Sequence, residues 1–284
     1  MVTLKNEFLY VKISTLGAEL KSIKKNNNEY LWSGDKDIWR FQAPVLFPIC
    51  GTLLNDKFTH LGKEYEMKSH GYARFKEFDV ECIEENKVVF LHSSDDESKK
   101  CYPFDYELRV SYQLQDASIN VEYSVKNSGD NDMYFSVGGH EGYLCPEGIE
   151  DYTLCFDESE NLDSVLLDGS FLSRTTKNFG QNTKELALKS EYFDLDTLIF
   201  LNLKSKSVTL KNNARQIRVD YNNFDNLLIW TVEGKEQKFV CIEPWCGIPD
   251  YVDRTDNEIY KKDGIIKLGK NKIFDVTHTI TIEK

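Results

Sequence analysis

The chain has 284 residues, 40% of them hydrophobic, 13% aromatic and 29% charged, which is enough apolar content to bury a sizeable core and excludes wholesale disorder. Thirty-five Lys and Arg against 47 Asp and Glu leave a net charge of −12, a field that repels phosphate backbones and anionic membrane surfaces, so neither a nucleic-acid nor a membrane partner is expected. No stretch approaches the roughly eighteen consecutive apolar residues of a bilayer span, and Lys5, Asn6 and Glu7 interrupt the N-terminus where a signal peptide needs an unbroken apolar run, so a cytoplasmic protein is expected.

Period-2 alternation dominates from the start. MVTLKNEFLYVKIS reads as the first strand, and KVVFLHS (87–93) and YELRVSYQL (106–114) follow. The clearest case is Ile119, Val121, Tyr123 and Val125, with Asn120, Glu122, Ser124 and Lys126 facing the other way, closed by the turn NSGDND (127–132). Further strands are expected at MYFSVGG (133–139), SVTLK (207–211), QIRVDY (216–221), NLLIWTV (226–232), KFVCIE (238–243) and VTHTITIE (276–283). Turn signals at KKNNNEY (24–30), SSDDESKK (93–100), KNNAR (211–215) and VEGKEQ (232–237) separate them, and the acidic runs SSDDES (93–98) and ENLDSVLLDG (160–169) read as solvated loops. Helical patterning is confined to a short turn near DLDTL (194–198). With no linker, composition shift or repeat, the expectation is an all-β protein, residues 1–284 forming a single large antiparallel β-sandwich domain. The seven cysteines include no C-x-x-C pair and read as reduced packing thiols.

Three segments break the pattern of strands and polar turns. PVLFPICGTLLND (44–56) followed by SHGYARF (69–75) places His70 before a glycine and Arg74 four residues on, a spacing that can aim an imidazole and a guanidinium into one cleft. The ordinary alternative is a surface histidine and an arginine paired to a carboxylate. In VGGHEGYLCP (137–146), two glycines before His140 permit a close backbone approach or a simple bulge, and an imidazole there, expected to titrate near neutrality, suits general acid or hydrogen-bond donor chemistry. In FVCIEPWCGIPD (239–250), an apolar strand runs into Glu243, and Pro244 is expected to end its pairing. A carboxylate at the end of a buried strand requires a partner or a raised pKa, and Trp245 offers a flat face of the kind sugars stack on.

These segments, in this order and with FDLDTLIF (193–200) between the last two, resemble the aldose 1-epimerase (galactose mutarotase-like) superfamily, in particular its LacX-type branch. The resemblance runs from TLGAELKSI and EYLWSGD near the start to GIIKLGKNKIFDVTHTITI at the end. It implies a β-sandwich with an open sugar cleft, a small-molecule sugar as partner, a monomer or weak homodimer, and a reaction without metal or other cofactor. Glu243 would be the general base that takes the proton of the anomeric hydroxyl, and His140 the general acid that protonates the ring oxygen. His70, Arg74, Asp196 and Trp245 would bind the sugar.

Two departures stand out. Many relatives carry an arginine after PICG where this chain has Thr52, which cannot make a charged bidentate contact. After the glycine-histidine pair, where a proline is common, this chain has Glu141-Gly142, an acid expected either to raise the His140 pKa or to face solvent. Three alternatives stay open at this level: a metal held by two histidines and a carboxylate, a non-catalytic sugar-binding protein, and a hexose-6-phosphate 1-epimerase using Arg40, Lys68 and Arg74. His60, His92 and His278 match no motif.

Overall fold

The structure, a computed structural model, describes residues 1–234 and 237–284, so the turn expected over 232–237 lies partly outside the described residues. The fold is an antiparallel β-sandwich. Its larger sheet has nine strands, in the order Thr183–Ala187, Thr153–Glu160, Ser207–Lys211, Gln216–Asp220, Ile273–Ile282, Ser118–Asn127, Tyr106–Gln115, Lys87–Ser93 and Asp79–Ile83. A seven-stranded sheet runs Val137–Gly138, Phe239–Cys246, Asn226–Trp230, Leu198–Leu201, Asp163–Asp168, Phe171–Asn178, with Glu141–Leu144 also paired to the Phe239–Cys246 strand. No helix of the described residues is long and apolar enough to cross a membrane.

Alternation explains the layering. Along Ser118–Asn127 every second residue is buried, so Ile119, Val121, Tyr123 and Val125 enter the core as their spacing predicts. The Phe239–Cys246 strand is buried on both faces, yet its two rows of side chains go to different places. Val240, Ile242 and Cys246 join the main core between the sheets, whereas Cys241 and Trp245 belong to two small clusters on the outer face. Glu243 lies in that outer row, and the sheet's outer face carries the cleft.

Three expectations are corrected. The N-terminal segment forms two strands, Val2–Lys5 and Tyr10–Ile13, because Asn6 turns the chain by accepting the N–H groups of Phe8 and Leu9 on its side chain. The run 160–169 is not a solvated loop: Asp163–Asp168 is a strand whose acids mark its exposed ends, while Val165 and Leu167 pack on the cleft-side cluster. Pro244 does not end its strand, since Leu227 pairs with it and Trp245 and Cys246 continue the ladder. Only its N–H is missing, and its carbonyl still accepts from Gly139 at 3.2 Å. The turn near DLDTL is a short 3-10 helix, Ser190–Leu195.

Candidate active site

A cleft of about 540 Å³ opens on the outer face of the seven-stranded sheet, and His70, Arg74, His140, Asp196, Glu243 and Trp245 all line it. Its centre is the pair Glu243 and His140, with Oε2 of the carboxyl 3.3 Å from Nε2 of the imidazole. Both are buried, Glu243 to 1% exposure. Burial, followed by the negative charges of Glu141 and Asp196, pushes the Glu243 carboxyl well above the usual carboxylate range. Burial, followed by the proximity of His70 and Arg74, pushes His140 well below an ordinary imidazole. Both directions favour an acid facing a neutral imidazole over an ion pair. The expectation of a histidine poised near neutrality is corrected accordingly.

The bend that delivers His140 depends on its glycines. A Cβ on Gly138 would lie 2.7 Å from Trp245 Cδ1 and 2.9 Å from the Pro244 carbonyl, and one on Gly139 would lie 2.6 Å from the Glu141 carboxylate. The imidazole then stacks on Trp39, ring centres 5.1 Å apart, and meets the edges of His70 at 5.5 Å and Trp230 at 5.7 Å.

His70 sits in a strained loop, with φ +63° in a non-glycine residue. Gly71 follows because a Cβ there would strike the Phe47 carbonyl at 2.3 Å. The Gly51 N–H donates to His70 Nδ1 at 3.2 Å. Burial, reinforced by the Arg74 charge, brings the His70 pKa down to about 3, so the ring is neutral and its proton is on Nε2, which makes it a donor. Arg74 gives one Nη2 bond to the Ser69 carbonyl at 2.9 Å, stacks over Phe75 at 4.9 Å and Phe41 at 5.1 Å, and has no ion-pair partner among the described residues. The carboxylate-paired arginine is therefore not what forms. Asp196 ends the 3-10 helix in a positive-φ conformation (φ 74°) and stands exposed at the rim, its Oδ1 accepting the Thr197 hydroxyl at 3.0 Å.

Trp245 lines the cleft but is only 3% exposed, and its Nε1 is used up on the Gly139 carbonyl at 3.0 Å. It is a wall, while the half-buried indoles are Trp39 and Trp230, which sequence reading did not single out. The signal for Trp39 was KDIWRF (36–41), an aromatic and basic run too rich in indole and phenyl for a plain polar loop. Glu141 neither faces solvent nor meets His140; it is buried and bonds His278, a residue no motif marked. Lys68 is paired to Asp56 at 2.7 Å and is absent from the cleft lining, whereas Lys36, Arg40 and Thr52 do line it.

His140, Cys241 and Glu243 each offer a donor atom within 4.8 Å of the others, three ligands in number. Burial, with the charge of Glu243 behind it, pushes the Cys241 thiol well up, which opposes the thiolate a metal requires.

A family model for aldose 1-epimerase matches residues 1–274. The chain belongs to the aldose 1-epimerase family. Plasmid-encoded protein LacX of Lactococcus lactis subsp. lactis is 36% identical, with 97% of this chain matched to 98% of that protein. A galactose mutarotase related enzyme from Lactobacillus acidophilus superposes with a TM-score of 0.94 at 33% identity, over 100% of this chain and 97% of that one. A galactose mutarotase-like protein from Lactobacillus casei does so with a TM-score of 0.93 at 29% identity over the whole of both chains.

Proposed function

We propose that the protein is an aldose 1-epimerase interconverting the α and β anomers of a hexose or related aldose, acting in the cytoplasm as a monomer or weak homodimer. The observation that carries this reading is the 3.3 Å approach of Glu243 Oε2 to His140 Nε2 inside the cleft. A cyclic hemiacetal bears its hydroxyl and its ring oxygen on the same carbon, C1. An acid and a base side by side fit those two oxygens.

The pair works with one proton. At rest that proton is on Glu243; in the reacting form it has crossed to His140 and Glu243 is a carboxylate. Glu243 takes the proton of the C1 hydroxyl while His140 gives its proton to the ring oxygen O5. The C1–O5 electrons leave with O5 and the exocyclic oxygen becomes an aldehyde. After rotation about C1–C2, the O5 hydroxyl attacks the other face of C1, its proton returns to His140, and the new C1 hydroxyl takes back the proton from Glu243. Neither group is consumed, each contributes roughly 10²–10⁴-fold, and no metal or redox cofactor enters the balance. The Nε2–H of His70 donates to sugar oxygens near the ring, while Arg74 and Asp196 hold hydroxyls with donors and acceptors respectively. Trp245 closes the wall behind them.

The test is NMR saturation transfer between the α and β anomeric protons of D-galactose and D-glucose. Catalytic amounts of protein should carry saturation from one signal to the other. A null result at enzyme concentrations comparable to sugar would count against the reading.

A second reading within the same chemistry is a sugar phosphate as substrate. Lys36, Arg40 and Arg74 line the cleft of a protein whose net charge is −12, and among the described residues none of the three forms an ion pair. The Arg40 charge pushes against Arg74, and a phosphate dianion would relieve that repulsion. Comparing kcat/KM for D-glucose 6-phosphate and D-glucose decides it, with at least a tenfold advantage expected for the phosphate if this reading holds.

A further inference from the structure

Behind the cleft, on the opposite face of the same strands, lies a second buried acid–imidazole pair. Glu141 follows His140 directly and sits opposite Ile242, the neighbour of Glu243, in the ladder between Glu141–Leu144 and Phe239–Cys246. The side chains of a cross-strand pair share a face, so Glu141 points with Ile242 into the core. There its Oε1 meets Nε2 of His278 at 3.1 Å. His278 belongs to the central strand Ile273–Ile282 of the nine-stranded sheet, is fully buried, and lies between the rings of Tyr123 and Phe224, at 5.7 and 5.8 Å. The bond therefore ties the two sheets together directly beneath the catalytic bend.

Its other atoms have no protein partner: Glu141 Oε2 and His278 Nδ1 are buried and unbonded, as are Glu243 Oε1 and His140 Nδ1 in front of them. A buried carboxylate left half-satisfied is expensive, and a core-facing apolar residue would serve packing better. The carboxylate also fills the space that a side chain at Gly139 would occupy, 2.6 and 2.7 Å from the ideal Cβ position, so it braces the residue from which His140 departs.

We propose that Glu141 and His278 are positioning residues of the reaction: the carboxylate braces the Gly139–His140 bend and supplies the negative charge behind Glu243, while His278 holds that carboxylate in place from the opposite sheet. The inference rests on the mutarotase reading of the site. Around Glu141, the other ionisable groups are Tyr112 and Tyr123 of the nine-stranded sheet, Tyr143 of its own strand, and Cys241 and Glu243 of the neighbouring strand. Around Glu243 they are His140, Cys241, Cys50 and Asp196. The tyrosines and cysteines are all pushed up by burial and stay neutral near pH 7, while the charges that raise Glu243 beyond burial come from Glu141 and Asp196.

The experiment compares Glu141→Gln with His278→Gln. Both disturb the same inter-sheet bond, but only the first removes the negative charge. At rest Glu243 holds the one proton the pair works with, so its loss sets the alkaline limb of the kcat/KM profile. Glu141→Gln should move that limb down by about one pH unit, and Glu141→Asp should restore most of the shift. His278→Gln should lower the melting temperature without moving the limb down. Equal profiles in the two glutamine variants, or an unmoved limb in Glu141→Gln, would overturn the proposal and leave the pair a purely structural tie. If the protein fails to turn over sugars at all, the same shift is read without substrate. The ¹³C carboxyl signal of Glu243, assigned by its disappearance in Glu243→Gln, should titrate lower in Glu141→Gln than in wild type, and an unchanged titration again overturns the proposal. Should Glu141→Gln not fold, Glu141→Leu, which also removes the charge and suits a core-facing position, carries the same measurement, with a downward shift expected and no shift contradicting the proposal.

Discussion

His140 Nε2 and Glu243 Oε2 face each other at 3.3 Å, each brought there by a different chain device. The histidine arrives on a glycine-built bend and the glutamate on the outer row of a strand buried on both faces. Neither side chain has a hydrogen bond to a third group among the described residues, and His140 Nδ1 and Glu243 Oε1 are buried without partners. The pair is therefore poised for a ligand that carries both a donor and an acceptor.

Removing the imidazole while keeping a polar side chain isolates the acid step. His140→Asn should lower kcat by roughly 10²–10⁴-fold and change KM little. Steady-state kinetics on α-D-galactose checks this, and a raised KM with unchanged kcat would make His140 a binding residue only.

The pH profile should be bell-shaped, with its limbs assigned in an unusual order. His140 is pushed down, so a second proton on the pair appears only at low pH and sets the acid limb. Glu243 is pushed up, so loss of the pair's single proton sets the alkaline limb. Asp196 is one of the charges raising Glu243. Asp196→Asn should therefore move the alkaline limb to lower pH while leaving the acid limb in place, alongside any loss in affinity. A shift to higher pH would contradict the assignment.

The sandwich was legible because alternation is a local signal: the strands Lys87–Ser93 and Ser207–Lys211 have the bounds their patterns predict. ENLDSVLLDG misled because its acids fall at the strand's ends, where solvent takes them, and so masked the apolar residues between. Pro244 misled because a proline removes one donor, not an acceptor, and this strand uses the carbonyl. That His70, Arg74, His140, Asp196, Glu243 and Trp245 meet in one cleft was expected from four segments in register, with Asp196 supplied by the family resemblance alone. The Glu141–His278 bond was not readable. It joins residues far apart in the chain across two sheets, and nothing local to HEG or THT announces the partner.

Beyond Glu243 the chain is held by a buried carboxylate. Asp250 accepts both Arg254 Nη1 at 2.8 Å and Lys262 Nζ at 3.1 Å, and also the Leu54 N–H at 2.8 Å. Asp250→Ala would leave buried cations without their counter-charge, a loss of about 3–5 kcal/mol. Urea denaturation checks it, and a change below about 1 kcal/mol would show that the cluster is dispensable.

Gly138→Ala should disturb the bend that carries His140 from behind, because the new methyl meets Trp245 and the Pro244 carbonyl at sub-van-der-Waals distance. A destabilisation of about 1–3 kcal/mol is expected, together with a fall in kcat as His140 shifts. Thermal melts and polarimetric rates on the same sample separate the two effects, and wild-type values for both would show that the bend has room to spare.

The most direct measurement is polarimetry on freshly dissolved α-D-glucose and α-D-galactose, with wild-type protein and with Glu243→Gln, each corrected for the spontaneous rate. Acid–base ring opening by Glu243 and His140 predicts a wild-type acceleration that is abolished in the variant while sugar binding, followed by calorimetry, persists. Equal acceleration by both proteins would remove Glu243 as the base, and binding without acceleration in wild type would make this a protein that holds sugars and does not turn them over.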